Sequence, residues 1–119
     1  MRLVNRRTMA ALVSDLEVAD TLIRRLRGLI GRHSLAPGCG MLFPMRRGAA
    51  QIHTFFMQFP IDVLYLDTGG KVLAVNAPLA PWRIGPLVLR CAAVIELPAG
   101  VIGATDTRVG DVTWMDHDS

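Results

Sequence analysis

The residues able to do chemistry are concentrated in one stretch, CGMLFPMRRGAAQIHTFFMQFPID (39–62). It brings together Cys39, Met41, Met45, His53, Met57 and Asp62 among aromatic side chains. Thiolate, thioether and imidazole groups suit a soft metal such as Cu(I). Residues four apart on a strand stand ~13 Å from each other, however, which is too far for joint ligation without a fold-back. Methionine is also the usual filler of irregular cores, so no metal and no cofactor are expected. A second chemistry would use Cys39 or Cys91 as nucleophile, His53 as base and Asp62 to orient it. That arrangement would make the protein a hydrolase-type enzyme. The sequence contains no Gly-x-Ser-x-Gly, His-Glu-x-x-His, phosphate-binding loop or dinucleotide fingerprint.

Two carboxylates sit in apolar surroundings: Asp62 in FPIDVLYL and Glu96 in AAVIELPAG. Such a group needs a partner or its pKa rises. The arginines of the first half supply candidates, and a bidentate guanidinium suits a buried carboxylate. The plain expectation is a structural ion pair, Arg25 to Asp62 or Glu96, that holds a helix to a sheet. The functional expectation is a small-molecule-binding module. Its pocket would be lined by His53, Phe56, Met57 and Trp82, with Arg25, Asp62 and Glu96 as polar anchors, because polar groups set in aromatic and apolar walls are typical of ligand sites. A domain without a pocket would instead show an extended exposed apolar patch.

These residues need elements to position them. The spacing of Leu22, Ile23, Leu26, Leu29 and Ile30 predicts a helix over about 20–31, capped by Asp20 or Thr21. Strands are expected near the N-terminus and at 41–43, 52–56, 61–66, 71–75, 87–89, 92–97 and 112–115. Asp67-Thr68-Gly69-Gly70 reads as a hairpin turn. Pro78, Pro81 and Pro86 mark an irregular crossing segment around Trp82. One helix cannot supply the crossovers of a wound parallel sheet. The expected fold is therefore α+β and mainly β, a small barrel or sandwich with one helix in its first half.

At 119 residues, 51% apolar and 19% charged, the chain has the size and oil of one domain. Its mean hydropathy of +0.36 raises the question of a membrane span. No apolar run reaches the ~18 residues one needs. The start, MRLVNRRTMAALVSDLEV, has too short an apolar run for a signal segment. The expectation is a cytoplasmic chain with both cysteines as free thiols. Residues 1–50 carry nine arginines and three acids; residues 51–119 carry four basic and seven acidic groups. With no aromatic RNA-binding motif and a net charge of only +3, internal pairing is favoured over nucleic-acid binding.

Five ordered blocks carry a family resemblance. They are Arg25-x-x-Gly28-Leu29-Ile30-Gly31-Arg32, Gly40-Met41-Leu42-Phe43, His53 through Asp62 (HTFFMQFPID), Ile95 through Gly100 (IELPAG) and Val109-Gly110-Asp111. Over residues 11–114 the chain resembles the domain of unknown function 192 family. It departs from that family's commoner pattern at Arg24, at Ile30 and in the aromatic block 52–57, so it resembles a variant branch. The resemblance implies a small, mainly-β barrel or sandwich with one helix, and no established activity.

Overall fold

The computed structural model describes residues 1–19 and 35–116. Ten strands occur within them: β1 (Arg2–Asn5), β2 (Ala11–Val13), β3 (Asp15–Val18), β4 (Cys39–Pro44), β5 (Ala49–Ala50), β6 (Ile61–Leu66), β7 (Val72–Leu79), β8 (Val88–Leu89), β9 (Ala93–Pro98) and β10 (Thr113–Asp116). A single-turn helix, α1 (Val101–Ala104), precedes the last strand. The main sheet has the order β3-β4-β9-β6-β7, a second has β10-β1-β2, and β5 pairs with β8. The β3–β4 pair is parallel and the others are antiparallel. The fold is mainly β, as expected, and sandwich-like; the sheets of the described residues do not close into a barrel.

Strand β6 organises the interior. All six residues of IDVLYL are buried, and successive side chains point to opposite faces. Ile61, Val63 and Tyr65 join Met41, Val94, Cys91, Ala50 and Val88 in a first core. Leu64 and Leu66 join Leu42, Ile95, Leu97, Leu3 and Ile102 in a second. The main sheet is thus a septum between two apolar layers. This explains why its central strands read as almost continuous apolar runs.

The return from β6 to β7 is a tight turn, as the sequence predicts. The Asp67 carboxylate Oδ1 accepts from the main-chain N–H of Gly69 and of Lys71, both at 2.9 Å. Asparagine and aspartate stabilise turns in this way. Strand β7 runs further than expected, through Pro78 to Leu79. An edge strand tolerates a proline, because the missing N–H interrupts no ladder on its open side.

Two expectations differ from the structure, and one lies beyond it. Residues 52–56 do not form a strand: only His53 bridges Ile84. The chain then turns, with Met57 N–H donating to Thr54 O, and Phe56 takes a left-handed φ of 67°. Helix α1 follows the expected turn at Pro98-Ala99-Gly100 but is too short for an apolar stripe to announce it. The expected helix at 20–31, and with it Arg25, lies outside the described residues.

Gly70 has φ +80°, and a Cβ there would stand 2.3 Å from the Thr113 carbonyl oxygen. Gly48 has φ +71° with nothing within 4 Å of its Cβ position. Both substitutions to alanine incur the left-handed strain of ~1–2 kcal/mol, but only Gly70→Ala also forces backbone apart. Urea denaturation should therefore show Gly70→Ala losing at least ~1 kcal/mol more than Gly48→Ala.

Candidate functional site

The register of the main sheet decides which polar groups meet. Asp62 lies opposite Leu97 and the next residue, Val63, opposite Glu96. Adjacent positions face opposite ways, so the two carboxylates lie on opposite faces of one sheet. They do not share a pocket.

Asp62 lies on the face of the second core, fully buried. Its Oδ2 accepts the Ile102 N–H at 2.9 Å and so caps α1 from a remote strand. Gly100, at the helix start, offers no side chain for this. Asp62 Oδ1 is buried without a hydrogen-bond partner.

Glu96 faces the first core, 8% exposed. One row of register partners crosses the sheet there: Glu17, Met41, Glu96, Val63 and Asn76. No cation lies within 4 Å of the Glu96 carboxylate among the described residues. Burial lifts its pKa from an ordinary 4.5 to about 7, because the charged form loses hydration without compensation. The Tyr65 hydroxyl, one position along the same face, donates to Asn76 Oδ1 at 2.8 Å. Burial first, then Glu96 and Cys91, push Tyr65 up to about 12. Beside this row, Asp15, Glu17, Leu35, Cys39 and Met41 line a hollow of about 310 Å³. Met41 joins the hollow to Glu96 as its direct cross-strand neighbour.

A ribbon covers the first core. Residues 48–54 and 82–91 run antiparallel, joined by the β5–β8 pair, the His53–Ile84 bridge, Gly85 N–H to Ile52 O, and Cys91 N–H to Gly48 O. Thr54 anchors one end: its hydroxyl donates to Ala80 O at 2.5 Å and accepts Arg83 N–H at 3.0 Å. Three of the sequence-predicted site residues, His53, Phe56 and Trp82, meet on its outer surface together with Phe55. The ring centroids are 4.7 Å apart for His53–Phe55, 6.0 Å for Phe55–Trp82 and 4.8 Å for Phe56–Trp82. Met57 turns inward and is buried in the first core. The predicted residues therefore divide into an outward aromatic group, an inward Met57 and Glu96, and Asp62 across the sheet.

Of the nucleophile arrangement, His53 and Asp62 do not meet. His53 Nδ1 accepts the Phe55 N–H at 3.2 Å, and Asp62 lies beyond the sheet from the ribbon. Cys91 is buried, its Sγ donates to Ala93 O, and burial raises its pKa. Among the described residues no three His, Cys, Asp or Glu side chains converge as a metal site.

Sequence reasoning missed Tyr65, Asn76, Phe55 and the Asp15–Glu17 edge. Asn76 carried a readable signal, a lone amide inside the apolar run VLAVNAPL. It also missed a polar clasp beside the second core. Asn5 Nδ2 donates to Thr107 Oγ1 and Asp111 Oδ2, while Arg7 Nε donates to Asp111 Oδ1 at 2.7 Å. Chiefly through Arg7, the clasp holds the Asp111 carboxyl well below the usual carboxylate range.

A small, mainly-β fold with a buried carboxyl that has no cation beside it among the described residues defines a class without naming an activity. Residues 3–114 match the family described as Uncharacterized ACR, the domain of unknown function 192 family, and the chain belongs to it. Similar proteins include a UPF0127 protein of Pyrococcus abyssi, 38% identical over 103 residues, covering 83% of this chain and 85% of the relative. Another, from Thermococcus sibiricus, is 31% identical over 114 residues, covering 94% and 73%. In fold, the chain is similar to a protein of unknown function from Novosphingobium aromaticivorans (TM-score 0.84, 20% identity, covering 97% of this chain and 84% of that one). It is also similar to a protein described as a putative transcription regulator from Sinorhizobium meliloti (TM-score 0.79, 23% identity, covering 95% and 89%). Among the described residues no helix is long and apolar enough to cross a membrane.

The raised pKa of Glu96 fixes the sign of a pH effect. The folded state binds this proton more tightly than the unfolded state does. The associated stability is complete below pH 4.5 and is lost as pH rises to about 7. The loss is about 3 kcal/mol at ~1.4 kcal/mol per pK unit. Urea titrations from pH 4.5 to 8.5 should show this decline in the wild type and not in Glu96→Gln. Asp62→Ala strands the buried Ile102 N–H and should cost about 2 kcal/mol by the same measurement.

Proposed function

We infer that the protein is a small-molecule-binding module whose site lies on the Glu96 face of the main sheet. The observation that carries this reading is the Glu96 carboxyl, held in an apolar layer with no cation beside it among the described residues. Such a placement lowers stability at neutral pH, and proteins tolerate that cost most readily where a ligand offsets it. Asp15 and Glu17 at the hollow add negative charge from the edge strand. Tyr65 and Asn76 supply a fixed hydrogen-bonding pair on the other side of Glu96. The ligand chemistry that suits this set is a compact amine, whose ammonium group would pair with the Glu96 carboxylate while its apolar part rests on Met41 and Val63.

Thermal-shift measurements with a series of small mono- and diamines test the reading. At least one amine should raise the wild-type Tm, and more strongly at pH 8 than at pH 6, because the carboxylate titrates near 7. Glu96→Gln should abolish that shift while remaining folded. Binding that persists unchanged in Glu96→Gln, or no shift with any amine, overturns the proposal.

A further inference from the structure

The outer face of the ribbon is apolar where a surface ribbon is ordinarily polar. Phe56, Trp82, Ile84, Leu87 and Leu89 are each more than half exposed. They lie along one continuous structure: Ile84 bridges His53, Leu89 pairs with Ala49, and Trp82 packs on Phe56. The inner residues Ala50, Thr54 and Val88 are buried, so the ribbon is apolar on both sides. Contiguous exposed apolar surface of this kind marks an interaction site.

Its backbone supports the same conclusion. Phe56 has φ 67° and Trp82 φ 60°, a left-handed conformation uncommon for bulky side chains. Two aromatic residues are held outward at conformational cost, and strain of this sort collects at functional positions.

The segments that build the patch carry charge of one sign. Residues 36–61 and 80–95, which include the whole ribbon, contain no Asp or Glu and carry Arg46, Arg47, Arg83 and Arg90. All four arginines are exposed, and none pairs with a carboxylate among the described residues. Arg46 and Arg47, with Met45 and Ala49, line a hollow of about 300 Å³ at the end of the ribbon away from Trp82.

We propose that this ribbon docks on an anionic membrane surface, with Phe56, Trp82, Ile84 and Leu87 entering the interfacial layer and the arginines engaging lipid phosphates. Aromatic and aliphatic side chains ringed by arginine are the composition of interfacial binding, and basic groups draw such a surface to anionic lipid. A second copy of the chain fits poorly, since a two-fold contact sets the same arginines near one another and the ribbon segments bring no acid to offset them. A single-stranded nucleic acid would use the aromatic faces and the arginines, but it has no use for exposed Ile84, Leu87 and Leu89.

Cosedimentation of the full chain with vesicles tests the proposal. Vesicles of phosphatidylcholine mixed with phosphatidylglycerol should bind at least ~10-fold more protein than phosphatidylcholine alone, with the difference shrinking at high salt. In a Trp114→Phe background, Trp82 emission should shift to the blue on binding. Phe56→Asn with Trp82→Asn should abolish binding and stay folded, because asparagine accepts the left-handed backbone. Arg46→Gln with Arg47→Gln should reduce binding to anionic vesicles only. Equal binding to both vesicle types, or binding that survives the double asparagine variant, overturns the proposal. So does a concentration-dependent dimer that this variant dissolves, or tighter binding to oligo-deoxythymidine than to vesicles.

Discussion

The burial of β6 on both faces is the constraint from which the rest of the molecule follows. A strand covered on one side can direct its polar groups to water; β6 and its neighbour β9 cannot. Every polar side chain on them needs a specific solution. Asp62 spends one oxygen as a helix cap. Tyr65 turns its hydroxyl sideways to Asn76 on the edge strand. Glu96 finds no such partner among the described residues and keeps its proton to about neutral pH. The three outcomes arise from one sheet: Asp62 meets the second core, while Tyr65 and Glu96 share the first and differ in whether a hydrogen-bonding side chain stands opposite them.

Those layers are unlike in construction. The second core is closed by regular elements, with β1, β2 and α1 packed against the sheet and the Asn5–Arg7–Asp111 clasp beside them. Among the described residues the first core is covered largely by a ribbon with little regular pairing. That ribbon is held by scattered main-chain bonds and the Thr54 hydroxyl. Regular closure on one side leaves the other free to carry unusual groups. The buried carboxyl, the exposed aromatic cluster and Arg46, Arg47, Arg83 and Arg90, which have no carboxylate partner among the described residues, belong to the ribbon's side of the sheet.

Much of the architecture could be read from residue order because local chemistry and final position agree. The run IDVLYL is a strand at the expected residues, and Asp67 makes its turn through its own side chain. Reading failed where tertiary contacts override local preference. Ile52 to Phe56 has the composition of a strand, and Ile52 and Thr54 do bond to Gly85, Arg83 and Trp82, yet the pairing stops there because Phe56 and Trp82 both turn into the left-handed region. For the candidate site, the alternation that groups Asp62 with Leu64 and Glu96 with Val94 was legible. Their separation onto opposite faces was not, since it depends on the cross-strand register of β6 and β9. The nearness of His53, Phe56 and Trp82 also comes from a long-range pairing that no local pattern announces.

Strand β1 lies between β2 and β10, with Arg2 opposite Asp116. Its second partner is separated from it by almost the whole described chain. Closing so long a loop carries a large entropic cost before any contact repays it, and folds dominated by such pairings form slowly. On the ribosome, β1 emerges early and completes its sheet only when β10 has followed. Until then, one side of the second core is open, and the apolar ribbon is exposed on a chain that has not finished folding. The arrangement of strands thus sets a waiting time during synthesis, between the emergence of β1 and that of its last partner.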